Sequence, residues 1–311
     1  MNIFLKKYGD KVKIIASSVI RSAIRGESHG GLYVVDSEKQ IIKQVLDWNF
    51  PDIRWDSGGG DRGLRGLVFY NDYLYAAGAL HIYKFNKNFE LVDKFSNDYF
   101  DGTHEMFIKD NILYSIANQF DAIWRFNLDT EEWIDGFQHI LGQSPKLFKP
   151  NEEIQHGDSL HLDSVSVKGG FVWYAGSTTE YLYGFNMNTL EQKQIKLYFR
   201  NTHNAQLWKD GIIFNRSLES ETCYQVGNSL MCRWPTPRMD RNTIRNILPG
   251  DHARAEYTRG MAIEGDQIAI GTSPASVHFF SLESEKPLLS AIITTDIRNT
   301  ICGITIYPWE I

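Results

Sequence analysis

Apolar and polar positions along this chain follow one recurring phrase: a short apolar strand, a tight turn of Asp, Asn, Gly or Lys, and a second apolar strand. Copies open at Arg65-Gly66, His104-Glu105, Asp163-Ser164, His203-Asn204 and Arg259-Gly260. Third strands follow, such as Leu80-His-Ile-Tyr-Lys-Phe and Tyr181-Leu-Tyr-Gly-Phe, and then fourth strands after turns such as Asn86-Lys-Asn or Asn188-Thr. β-Branched and aromatic residues crowd these runs, as the half-buried surface of a sheet favours. All-strand self-similarity of roughly 40 residues is the signature of a β-propeller, with each four-stranded copy forming one blade.

Five blades read as 64–97, 103–136, 161–198, 203–234 and 258–294. The remainder predicts how the ring closes. Cys302-Gly-Ile-Thr-Ile-Tyr-Pro reads as a lone inner strand, and the N-terminus supplies three strands that lack an inner partner. Joined, they complete a sixth blade and remove the exposed edges an open sheet would have to protect. The expectation is an all-β, six-bladed propeller forming a single domain over 1–311. Three connections are longer than the rest, 49–63, 137–160 and 235–257, and are expected to overhang the channel mouth as ordered lids.

Composition narrows the partners. At 311 residues, with 42% hydrophobic and 13% aromatic residues, the chain can bury a sizeable core. Net charge is −6 and the Lys and Arg residues are scattered, so no clustered positive surface points to nucleic acid. No run approaches the ~18 consecutive apolar residues of a membrane span. The opening Met-Asn-Ile-Phe-Leu-Lys-Lys has no long apolar region ahead of a small-residue cleavage site, so a cytoplasmic protein is expected. Cys223 and Cys232 flank Gly227-Asn228, a two-residue hairpin turn that would set them opposite each other. A disulfide and a pair of reduced thiols both fit that spacing.

Candidate chemistry gathers where the inner strands begin. His104, His161 and His203 open three successive blades, and neutral imidazoles are the commonest ligands of first-row divalent metals. Three that converge with an open position would make a catalytic centre holding Zn, Fe, Mn or Ni. Strand alternation places Asp163 on the face of His161, as a fourth ligand or a base, and turns Glu105 away from His104, into the blade packing or onto a partner that orients a ligand. Arg65 and Arg259 open two further blades and are expected to clamp substrate charge. Two pairs in the long loops, His156-Gly-Asp158 and Asp251-His252, set a histidine beside an aspartate, as a general acid or base would need. The plainer reading of each is a water-lined polar channel, salt-bridged arginines and solvated loop pairs.

The stretches Gly26-Glu-Ser-His-Gly-Gly-Leu-Tyr-Val-Val-Asp36, Gly60-Asp-Arg-Gly-Leu-Arg-Gly66, Thr202-His-Asn-Ala205 and Pro249-Gly-Asp-His-Ala-Arg254 resemble an uncharacterised family of bacterial six-bladed β-propeller proteins. That resemblance implies the fold and no activity. More loosely the chain is similar to lactonases and strictosidine-synthase-like propellers, whose channel metal is held by acidic and amide groups. Histidines stand here instead, whereas calcium prefers oxygen ligands; metal-histidine propeller lyases are the nearer chemical analogy. The expected function is a metal-dependent lyase, hydrolase or isomerase acting on a small anionic or hydroxylated substrate. The alternative is a non-catalytic propeller that binds a glycan or a protein.

Overall fold

In the computed structural model the described residues are 3–4, 12–49, 62–247 and 253–310. Most of the 49–63 connection and His252 therefore lie outside the described residues. The strands form six sheets of four or five strands, the blades of a β-propeller. The tight turns form as expected: Asn71, Asp110, Gly170, Lys209 and Gly265 all have positive φ, the left-handed geometry that a two-strand reversal requires. By compactness the chain divides into two units. One is Met1–Gly66 with Ser217–Thr222 and Cys232–Ile311, and the other is Leu67–Arg216 with Cys223–Met231.

The first unit contains the closing blade. Asn299–Ile306 pairs with Lys13–Ile20, which pairs in turn with Gly30–Asp36 and then Ile41–Asp47. Register sets Ile14 opposite Ile306 and Ala16 opposite Ile304, so the two ends of the chain share one apolar face. Gly303 has no freedom to vary, since an added Cβ would lie 2.2 Å from the Arg65 carbonyl oxygen. Every residue of Gly30–Asp36 is buried, whereas none of Ile41–Asp47 is more than half-buried. This is the gradient expected from the sandwiched middle of a blade to its outer edge. The blade that precedes the closing one in the chain, Met261–Glu264 through Ser284–Ile292, gains a short fifth strand from Ile3–Phe4.

The second unit holds the second, third and fourth blades and the inner strands of the fifth. The third blade begins with Met106–Lys109, Ile112–Ala117, Ala122–Asn127 and Glu132–Gln138. A fifth strand, Lys146–Phe148, then adds to its outer edge. The middle of the 137–160 connection is therefore sheet and not lid. Phe148 turns in against Trp124 at a centroid separation of 4.6 Å, and burying that ring outweighs the freedom of an open loop. The fourth blade runs from Leu162–Lys168 through Phe171–Gly176 and Tyr181–Phe185 to Gln192–Lys196. The fifth opens with Thr202–Trp208 and Gly211–Arg216. Cys223, Cys232 and Cys302 are free thiols. Among the described residues no helix is long and apolar enough to cross a membrane.

Candidate active site

Polar residues do gather at the starts of the inner strands of the second unit, but not in the order strand alternation predicts. His104 precedes the strand Met106–Lys109, and His161 precedes Leu162–Lys168. His161 has a φ of 50°, and the ladder is bulged between Leu162 and Ser164. His203 lies within Thr202–Trp208, but a second bulge separates it from Gln206, and Asn204 has a φ of 54°. A period of two holds only in regular extended chain. A left-handed residue or a bulge re-aims every side chain around it.

The consequence is two separate groupings. In the first, both oxygens of Asp158 lie against His161 Nδ1, at 2.9 and 3.1 Å. A carboxylate only accepts, so Nδ1 carries the hydrogen and Nε2 is left as the acceptor. The two side chains are 33% and 35% exposed, which leaves the imidazole open to a solute. Among the described residues His161 Nε2 makes no hydrogen bond. The His104 ring meets His161 edge to face, with centroids 5.6 Å apart. Asp158 thus pairs with His161 and not with its near neighbour His156, whose ring packs on Phe120.

The backbone of this turn is tied from several sides. Thr178 Oγ1 donates to the Ser159 carbonyl at 2.7 Å, and Leu141 N–H donates to Ser159 Oγ at 3.0 Å. Ser177 N–H donates to the His161 carbonyl. Gly176 makes the approach possible, because an added Cβ would lie 1.9 Å from the Leu160 oxygen.

The second grouping is buried. His203 Nε2 lies 3.3 Å from Asp163 Oδ2, with side chains only 6% and 1% exposed. Ser164 Oγ donates to Asp163 Oδ1 at 2.9 Å and accepts from Ala205 N–H. Asp163 thus faces His203, not His161 as strand alternation predicts. Glu105, expected to turn into the blade packing or onto a neighbouring partner, is buried and accepts from Asn204 Nδ2 at 2.5 Å and from Met106 N–H at 3.2 Å. Asn204 Oδ1 in turn accepts from Asn215. Burial pushes the Glu105 carboxyl up to about 7, against the pull of those two hydrogen bonds. Asp158 was legible only as a loop acid beside a histidine, and nothing in the sequence singled out Glu105 as a titrating group.

The three histidines therefore do not form one ligand set. Among the described residues no group of three or more His, Cys, Asp or Glu side chains is placed to hold a metal ion. His161 has one nitrogen committed to Asp158, and His203 has one against Asp163. The donors as placed do not fit a shared metal.

Arg65 and Arg259 belong to the first unit. Arg65 is buried, its carbonyl accepting from Ser17 Oγ. The Arg259 guanidinium lies 5.4 Å from the centre of the Tyr257 ring. His278, expected to be structural, is buried in the same unit between Ser290 Oγ at 2.8 Å and Thr272 Oγ1 at 3.3 Å.

No family model matches this chain, and no curated protein matches it. Solved structures do. One, a nidogen/laminin complex, superposes with a TM-score of 0.61 at 8% identity, covering 97% of this chain and all of that one. That likeness is one of fold. A streptogramin B lyase (TM-score 0.44, 11% identity, 75% of this chain and 72% of that one) also aligns. So does a catalytically inactive virginiamycin B lyase from Staphylococcus aureus with quinupristin (0.42, 10%, 74% and 73%).

Proposed function

We propose that the chain is an enzyme that moves protons on a small anionic or hydroxylated substrate, with His161 as the group that exchanges the proton. The Asp158–His161 pair supports this reading above all. Nδ1–H is held by a carboxylate, and an exposed Nε2 is left with no partner among the described residues. Such an imidazole accepts a proton at Nε2 while Asp158 stabilises the imidazolium that forms and keeps the ring from turning. His104 walls one side of the ring. Lyase, hydrolase and isomerase reactions all need such an exchange.

The test is a panel of small hydroxy acids, lactones and carboxylate esters, followed by proton NMR with the wild-type protein and with His161→Ala. Turnover of at least one member, reduced at least a hundredfold in His161→Ala, is expected if general base catalysis carries the usual factor of about 10²–10⁴. Turnover unaffected by the substitution would overturn the assignment. Saturable binding of a glycan with no turnover anywhere in the panel would favour the non-catalytic reading.

A further inference from the structure

Asp121 ends the one-turn helix Asn118–Phe120 in the third blade, with a φ of 45° and no exposed surface. Nothing in the sequence marks it. Its Oδ2 nonetheless accepts three hydrogen bonds, all from the two residues between Asp158 and His161. They are Ser159 N–H at 2.6 Å, Ser159 Oγ–H at 2.6 Å and Leu160 N–H at 2.9 Å. Its own carbonyl accepts from His139 N–H, which fixes the residue from the other side.

We infer that Asp121 is the positioning residue of the Asp158–His161 pair: one buried carboxylate oxygen gathers the turn that joins the two and holds them facing each other. This rests on reading that pair as the working one.

The geometry explains why such an anchor is needed. Asp158 and His161 are three residues apart, and His161 sits in the left-handed region, where a side chain with a Cβ is strained. A short turn of this kind reverts to extended chain unless its surroundings over-determine it. In extended chain, residues three apart point to opposite faces, and the carboxylate would leave Nδ1. Asp121 takes both amides of the intervening residues, so the turn cannot straighten without stranding two N–H groups. Its other oxygen, Oδ1, is buried and makes no hydrogen bond among the described residues, which leaves Oδ2 as the side chain's whole contribution. The hydrogen bonds of the Asp121 side chain go to Ser159 and Leu160 and none to the His161 ring, so its effect on a substrate passes through Asp158 and His161.

The experiment reads the imidazole and not the turnover. In ¹⁵N-labelled protein, His161 is expected to show an Nδ1–H tautomer with a hydrogen-bonded, downfield Nδ1 proton, assigned by its loss in His161→Ala. Asp158→Ala should remove that downfield signal and leave the two tautomers mixed. Asp121→Ala should do the same while Asp158 is still present. Asp121→Asn, which keeps an amide oxygen where Oδ2 now sits, should largely restore the signal. Asp121→Ser, too short to reach the amides of 159 and 160 but polar enough for its site, repeats the test if Asp121→Ala does not fold.

A folded Asp121→Ala or Asp121→Ser protein that keeps the wild-type tautomer and downfield proton would overturn the inference. A wild-type protein that shows the other tautomer, or whose signal survives Asp158→Ala, would instead overturn the Asp158–His161 pair and the function built on it. The two failures are therefore distinguishable.

Discussion

Asn204 donates its side-chain N–H to Glu105 across 99 residues, joining the start of the fifth blade's inner strand to the start of the third's. The inner strand of the fourth blade packs against both. The bond thus leans over the end of one whole blade. It exists because Asn204 is left-handed and follows His203 into a bulge, which turns its side chain out of the ladder. The same local departure from regular strand lets His203 meet Asp163.

Glu105 should make stability depend on pH with an unusual sign. Its folded value, about 7, lies above the ordinary 4.5 because burial favours the neutral acid. Between those values the folded state binds more protons than the unfolded, so stability is greatest below 4.5 and falls as pH rises through 7. Glu105→Gln should flatten the folding free energy over that window, as measured by urea denaturation at a series of pH values. An unchanged slope would show that Glu105 ionises freely.

His278 should act in the opposite sense. Burial pulls its value down to about 4 from 6.5, so the folded state holds it neutral. Its contribution is fully present above 6.5 and is lost as pH falls through 4. His278→Gln should remove that acid-side loss, at the expense of packing, since the imidazole bonds both Ser290 and Thr272. The comparison is one of midpoints in urea at pH 7 and pH 4. The difference between the two pH values should shrink in the variant.

The blades were legible in the sequence because their signal is repeated and local: apolar alternation, then Asn, Asp or Gly at a turn. The joined blade was legible for a different reason, since each end of the chain held strands that lacked a partner, and only each other could supply one. The groupings at the inner strand ends were not legible. Alternation predicted that Asp163 would share the face of His161, and there the chain is left-handed and bulged and not a regular strand. Left-handed φ at His161 and Asn204 falls on residue types that also sit in ordinary strands, so no Gly or Pro announced the break. Asp121 was invisible for a third reason: a buried carboxylate that serves backbone amides 38 and 39 residues away has no spacing to detect.

Closure should be cooperative with folding of the first unit. Removing the residues after Asn299 deletes nearly the whole strand that pairs with Lys13–Ile20, including Ile301 and Ile304, both buried. It also leaves Lys13–Ile20 as an open edge whose N–H and C=O groups invite association with other chains. The truncated protein is expected to aggregate or to unfold without a sharp transition, read by circular dichroism against temperature. Wild-type melting in the truncated protein would mean that the terminal strand adds nothing to the blade.

His161 and His203 should separate under the same substitution. His203 is buried against Asp163, and that carboxylate has almost no exposure of its own. Replacing His203 with alanine removes the imidazole that lies 3.3 Å from the buried Asp163 carboxylate and opens a void. Leaving a buried polar group poorly satisfied costs about 1–3 kcal/mol, more when the group is charged. His161 is a third exposed, and its loss leaves Asp158 able to turn to water. An exposed substitution of that kind usually stays within about 0.5 kcal/mol. The expected pattern is a clear drop in the urea midpoint for His203→Ala with binding or turnover at the exposed site altered only in proportion to stability. For His161→Ala the midpoint should hold while that activity is lost. Asp163→Asn with His203→Ala should cost less than the two single changes summed, because the two side chains are direct neighbours and each single change removes the same contact. Equal destabilisation by His161→Ala and His203→Ala, with activity intact in both, would place neither grouping at the working site.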